Sequence, residues 1–229
     1  FKVAVVSLVL LALAAGAQAQ NASLSPEQER AIQKLIIKTI KERPKIILEA
    51  LRSIEAKQKN SKEVLVQRTL TERSDEIYRN ADAPVGGNPD GDVTLVEFFD
   101  YQCSYCKSMT SRIEKLLDTD KNVRLVLKEF PILGPASVTA ARASLAAERQ
   151  GLYKPFHLAL MAMRGRLTDA AIFQTAREVG LNIEKLRQDM KQPAIGAMIE
   201  RNKQIANALE VRGTPAFVAG NELMPGAVS

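Results

Sequence analysis

A near-continuously apolar segment, Val93-Thr94-Leu95-Val96-Glu97-Phe98-Phe99, runs almost directly into Cys103-Ser104-Tyr105-Cys106. Its β-branched and aromatic residues favour extended backbone, and its lack of a polar face predicts a strand covered on both sides. From Lys107 to Leu117 the apolar residues Met109, Ile113, Leu116 and Leu117 fall at helical spacing. Val123 to Phe130 then reads as a second strand. Strand, helix and parallel strand make a crossover unit. The two cysteines therefore sit at a strand-to-helix junction, Cys103 at the helix N-terminus and Cys106 one turn on, facing the same side.

Composition makes those two residues decisive. The 229-residue chain has 2 Cys, 1 His and no Trp. A structural zinc site needs four protein ligands, one more than the Cys and His of this chain together, and a catalytic site would need all three, so zinc chemistry of the usual kinds is not expected. With 46% hydrophobic and 25% charged residues the chain is neither wholly disordered nor a multi-span membrane protein. The net charge of +6 is a thin surplus that gives no reason to expect a nucleic-acid partner.

Unpaired N–H groups and the helix dipole stabilise a thiolate at a helix N-terminus, and CxxC thiols in such settings have pKa values lowered to roughly 3.5–7.5. A stabilised thiolate is a better leaving group, which makes the disulfide more oxidising. A c-type haem site would need His at position 107, which is Lys. A purely structural disulfide closing so short a loop would add little stability. Two readings from different classes stay open: disulfide exchange, and a Cu(I)-binding carrier holding the ion on soft thiolates. His157 and the neighbouring Met161 and Met163 are read as structural.

Residues 1–19 read as a signal peptide. Val3 to Ala15 is apolar, and Ala17-Gln18-Ala19 has the small-x-small form of a cleavage site. The apolar run falls short of the roughly 20 residues of a membrane helix, and no cysteine near the cleavage point suggests a lipoprotein. Export would place the protein in an oxidising compartment, where disulfides persist.

Residues 20–82 read as a helical extension. Ser25, Pro26 and Gln28 form a capping box at its start, Pro44 forces a break, and Ile32, Leu35, Ile36, Ile40, Ile47, Leu48, Leu51 and Ile54 make an apolar stripe. The stripe is narrow, which suggests oligomerisation, a dimer or trimer; folding back on the main domain is the alternative. The turn formers between Ala83 and Asp92 mark entry to a second domain, 83–229. Within it, about 135–190 is helical, Thr168 caps one helix, and Gly180-Leu181 makes a Schellman ending. Pro193 opens a long amphipathic helix, and Gly213-Thr214-Pro215 precedes two short strands around Gly220-Asn221.

Val96-Glu97-Phe98-Phe99-Asp100-Tyr101-Gln102-Cys103-Ser104-Tyr105-Cys106, the helical insertion and the late Gly213-Thr214-Pro215 together resemble the DsbA-like thiol-disulfide oxidoreductases of bacterial envelopes. The resemblance implies an α/β protein, a thioredoxin-like fold with an inserted helical domain, here preceded by an α-helical stalk. It implies Cys103 as the exposed nucleophile, Cys106 as its buried partner, and Thr214-Pro215 as the cis-proline loop that binds substrate backbone beside Ser104 and Tyr105. Glu97 matches a buried acid that assists proton movement beneath the disulfide; an edge residue reaching solvent is the other reading of that position. No cofactor is implied. Partners implied are exported protein substrates with thiols or disulfides, and a membrane redox partner protein, in the periplasm.

The extension is similar to the branch typified by the suppressor-of-copper-sensitivity C proteins, whose members can be trimeric. Ser104-Tyr105 replaces the Pro-His of the classical oxidase, and Thr214 before the proline is similar to isomerase and reductase members. Oxidase and isomerase directions thus both stay open. The family normally closes with a further helix, so the sequence is expected to be truncated at its C-terminus.

Overall fold

Ser25 starts the first ordered element because its side chain accepts from Gln28 N at 3.2 Å while Gln28 Oε1 accepts from Ser25 N at 2.9 Å. The computed structural model describes residues 24–227; the expected signal peptide lies outside them. The chain divides into two compact units, one ending at Lys57 and the other beginning at Gln58. Helix α1 (Pro26–Glu42) ends at Arg43, ahead of Pro44, and helix α2 (Lys45–Glu72) follows. No residue of α1 is buried, and Leu35, Ile36, Leu48 and Leu51 are about half exposed or more. Among the described residues no helix is long and apolar enough to cross a membrane.

In the second unit, the end of α2 and the short helix α3 (Ser74–Tyr78) join the core. Leu70 and Ile77 are buried against Val96, Phe98, Val126 and Val218. The sequence reading places this stretch with the extension, yet its last turns contribute side chains to the sheet. Lys128 Nζ donates to Glu76 O at 2.8 Å, and an Arg124 guanidinium nitrogen donates to Tyr78 O, so α3 is fastened by the strand that it covers.

The strands are β1 (Val85–Gly87), β2 (Val93–Phe99), β3 (Val123–Glu129), β4 (Ala216–Ala219) and β5 (Glu222–Pro225), in the sheet order β1-β3-β2-β4-β5. Strands β2 and β3 are parallel, with Glu97 opposite Leu127 and Phe99 opposite Glu129; the other pairings are antiparallel. Helix α4 (Ser104–Thr119) makes the crossover between β2 and β3. Because side chains alternate along a strand, Val96 and Phe98 enter one core cluster and Phe99 the other, with Cys103, Cys106, Met109, Ile113 and Phe217.

The turn-rich segment before β2 holds a strand that the sequence does not announce. Strand β1 is three residues long and two of them are glycine, so neither length nor β propensity marks it. Gly87 has φ +68°, and a Cβ there would lie 2.5 Å from Val123 O.

The helices inserted after β3 are α5 (Pro135–Ala147), a 3₁₀ turn at Glu148–Gln150, α6 (Tyr153–Ala162), α7 (Asp169–Glu178) and α8 (Ile183–Asp189). Thr168 caps α7, and Leu181 N donates to Ala176 O at 2.9 Å in the Schellman ending. Met161 is buried and Met163 half-buried against the same core, as filler. Helix α9 (Pro193–Ala208) then covers the other face through Ile205 and Ala206, with Leu209 just beyond it.

Substituting Gly87→Ala forces a side chain into a left-handed backbone and against a carbonyl, for a cost of about 2 kcal/mol or more. Urea unfolding of the variant beside the parent measures this; an unchanged midpoint would refute the close approach of β1 and β3.

Candidate active site

Asp100, directly after β2, decides where the cysteine turn lies. Its Oδ1 accepts from Gln102 N at 2.7 Å and Ser137 Oγ at 2.6 Å, and its Oδ2 accepts from Ile132 N at 2.8 Å and Leu133 N at 2.9 Å. Gln102 Nε2 donates to Leu133 O and Ser137 Oγ. A carboxylate that is only 1% exposed is thus satisfied by four donors from three segments. The chain turns there, and Cys103 becomes the N-cap of α4.

Cys103 Sγ accepts from Cys106 N at 3.2 Å and, as a thiol, donates to Thr214 O at 3.2 Å. Both cysteines are free thiols in this structure. The hydrogen bond from the Cys106 thiol lowers the Cys103 pKa to about 6, helped by the Thr214 side chain and by the N–H groups of Cys106 and Tyr105, against the cost of burial. Cys106 moves the other way, because it holds the shared proton and is buried. The charge of the reduced pair belongs on Cys103.

The structure corrects one expectation. Cys103 is not exposed: it is 5% accessible, because the residue before Pro215 lies over the sulfur. Cys106 is fully buried, as expected. The Thr214–Pro215 peptide is cis, and Thr214 stands against Cys103. Ser104 and Tyr105 are exposed at the mouth, Tyr105 by 66%.

Glu97 lies beneath the pair, on the face of β2 shared with Phe99. Its neighbours across the sheet are Leu127 and Phe217, both buried, and it is 3% exposed. The solvent-reaching reading of this residue is overturned. Burial raises its pKa to about 8, with the charge of Cys103 adding to the rise.

A polar cluster behind the site has no separate motif in the sequence. Tyr101 and Tyr153 hydroxyls both donate to Glu129 Oε1, at 2.9 and 3.0 Å, and Tyr101 Oη is 3.0 Å from His157 Nδ1. His157 packs edge-on against Phe99 and stacks on Tyr153. Burial drives Glu129 well above the usual carboxylate range and lowers His157 to about 3, so both are neutral. His157 is thus tied, from the middle of α6, to the residue two before Cys103. Lys107, next to Cys106, donates from Nζ to Met163 O at 2.8 Å and links α4 to the insertion.

A family profile described as DSBA-like thioredoxin domain matches residues 94–229. The chain belongs to this family. A thioredoxin-like oxidoreductase from Silicibacter pomeroyi is similar, with 49% identity over 67% of this chain and 89% of that one, at a TM-score of 0.67. Proteus mirabilis ScsC in a transitional conformation shares 26% identity over 90% of this chain and 93% of that one, TM-score 0.67, a span long enough to take in the N-terminal helices. The thiol:disulfide interchange protein DsbA of Bordetella parapertussis is 28% identical over 66% of this chain and 74% of its own. The chain also matches sodium/proton antiporters, among them one from Herminiimonas arsenicoxydans at 32% identity over 61% of this chain, and spans only 22% of that relative's length.

Two pH effects follow. Alkylation of Cys103 should titrate with a midpoint near 6, and Cys106→Ala, which removes the principal donor, should raise it. A midpoint above 8 in the parent would contradict the geometry. The folded Cys103 pKa lies below the unfolded value of about 8.5, so its contribution to stability is present above that value and lost as pH falls through about 6. The reduced protein should therefore gain stability relative to the disulfide form between about pH 6 and 8, as read by urea unfolding of both forms.

Proposed function

We propose that this chain is a periplasmic protein thiol-disulfide oxidoreductase that exchanges disulfides with exported proteins through Cys103 and Cys106. The observation that carries the reading is the placement of Cys103 Sγ between the first turn of α4 and Thr214, with the proton of the pair on Cys106. In the oxidised state a substrate thiolate attacks Cys103 Sγ and the electron pair of the broken S–S bond leaves on Cys106. A second substrate thiolate then displaces Cys103, whose low pKa makes it a good leaving group. Thr214 and Pro215 would hold the substrate backbone, Ser104 and Tyr105 would border it, and Glu97 would take part in proton movement. A membrane redox partner protein would reset the pair.

Isomerase or reductase action as an oligomer is the second reading, favoured by the exposed apolar residues of α1 and α2 and by likeness to ScsC. Residues 20–82 would be the oligomerising extension and residues 1–19 the export signal. Exposed Leu35, Ile36 and Leu48 need a partner surface to become buried.

Cys103→Ser should abolish insulin reduction and refolding of scrambled ribonuclease, while Cys106→Ser should accumulate mixed disulfides with substrate. Full activity in Cys103→Ser, or stoichiometric Cu(I) uptake without any turnover, would favour the carrier instead. Light scattering of the full chain beside one that begins at Gln58, which keeps the buried Leu70 and Ile77, separates the two directions: loss of both oligomer and ribonuclease refolding in the shorter chain supports the isomerase.

A further inference from the structure

Most of the net charge of this chain lies on the insertion. Between Pro135 and Gln192 there are nine basic and five acidic residues, against a net +6 for the whole sequence. Helices α7 and α8 border an open groove with two lobes, of about 610 and 290 Å³, that meet at Phe173 and Arg187. Its walls present Arg142, Arg177, Arg187 and Lys191, and Asp169 is the one acid among the described lining residues. The Arg187 guanidinium lies over the Phe173 ring, its carbon 3.8 Å from the centroid. Stacking of this kind fixes the planar fork and leaves N–H donors to grip a carboxylate. Among the described residues no carboxylate pairs with Arg177, Arg187 or Lys191. Asp189 is held instead by Arg149 and Lys185, and Glu178 accepts from the Gln174 amide.

The positive surface begins beside the cysteines. Lys107 lies one turn after Cys103 on α4, its N donating to Cys103 O at 3.1 Å, and its Nζ donates to Met163 O at 2.8 Å. The peptide group it holds joins Met163 to Arg164, so the exposed Arg164 and Arg166 start one lysine side chain away from the cysteine turn. Consecutive Cα atoms lie about 3.8 Å apart, which keeps Asp169, on the wall of the larger lobe, within about 11 Å of Arg166.

Resting on the oxidoreductase reading, we propose that this surface is a docking track for an acidic segment of the client protein, entered at Arg164 and Arg166 and continued into the groove around Arg187. The client thiolate attacks at Cys103, so the chain on one side of the client cysteine passes the Arg164–Arg166 loop. Carboxylates in that segment meet cations that have no partner of their own. The path is concave and leads to a covered sulfur, which an extended polypeptide can follow and a flat anionic bilayer cannot. Clients with Asp and Glu on that side of the cysteine are captured faster, by attraction along the path and without any change at the sulfur.

The test mixes the oxidised full chain with single-cysteine peptides of about twelve residues, some 40 Å when extended, and follows loss of the disulfide by acid quench and alkylation. Three peptides differ only in whether a run of Asp and Glu stands before the cysteine, stands after it, or is replaced by Ser and Gln. Each rate is divided by that of the same peptide with an unstructured CxxC disulfide, which removes differences in thiol reactivity. One acidic placement should react about tenfold faster than the neutral peptide at low salt, within the range of electrostatic steering, and lose that advantage near about 0.5 M salt. The other placement should gain less than about twofold. Arg164→Gln with Arg166→Gln, and separately Arg177→Gln with Arg187→Gln, should each cut the advantage about threefold. Equal gains for both placements would show attraction to net charge alone and overturn the track, as would a parental advantage in either double variant. Binding to phosphatidylglycerol vesicles that the Arg177–Arg187 variant loses, with no peptide preference in the parent, would assign the groove to a membrane instead. Fast and equal reaction with all three peptides would overturn the track and leave the oxidoreductase reading standing. A parent that reacts no faster than the unstructured disulfide would overturn that reading itself. Should the groove variant fail to fold, the loop variant decides on the same ratio.

Discussion

The position of one sulfur organises this protein. Cys103 Sγ caps α4 by accepting from Cys106 N, and the same contact supplies part of the stabilisation of its negative charge. An ordinary N-cap oxygen is passive; a sulfur in that role is at once a structural terminus and a reactive group. The parallel β2–α4–β3 unit exists in the same residues, so the fold cannot be separated from the chemistry it presents. Thr214, over a hundred residues later, completes the setting because β4 pairs with β2.

The buried acids divide into two kinds. Asp100 is surrounded by four donors and ties three segments together. Glu97 and Glu129 sit among apolar neighbours or hydroxyls, and burial holds them in their protonated forms near neutrality.

Much of this was legible in the sequence. The strand Val93–Phe99, the capping box at Ser25, the insertion near 135–190 and the cysteine junction each rest on local rules of periodicity and capping, and local rules survive folding well. Strand β1 was not legible, since Val85-Gly86-Gly87 reads as a turn and becomes a strand only because β3 lies beside it. The Tyr101–Glu129–Tyr153–His157 cluster was hidden for a different reason. Its members come from three elements, and no spacing along the chain records that they converge. The lone histidine beside Tyr153 and Phe156 was the available hint. The resemblance put the Thr214-Pro215 loop beside the cysteines, but not Thr214 as the cover over Cys103.

The knot at Asp100 has a consequence for how such a protein could diversify. Because one carboxylate ties Gln102, Ile132, Leu133 and Ser137 together, the loop after β3 and the cysteine turn form a single mechanical piece. Exchanging that loop alone would leave a buried carboxyl group without its hydrogen-bond partners. Transplants between relatives should succeed only when Asp100–Gln102 and Ile132–Ser137 travel as one cassette.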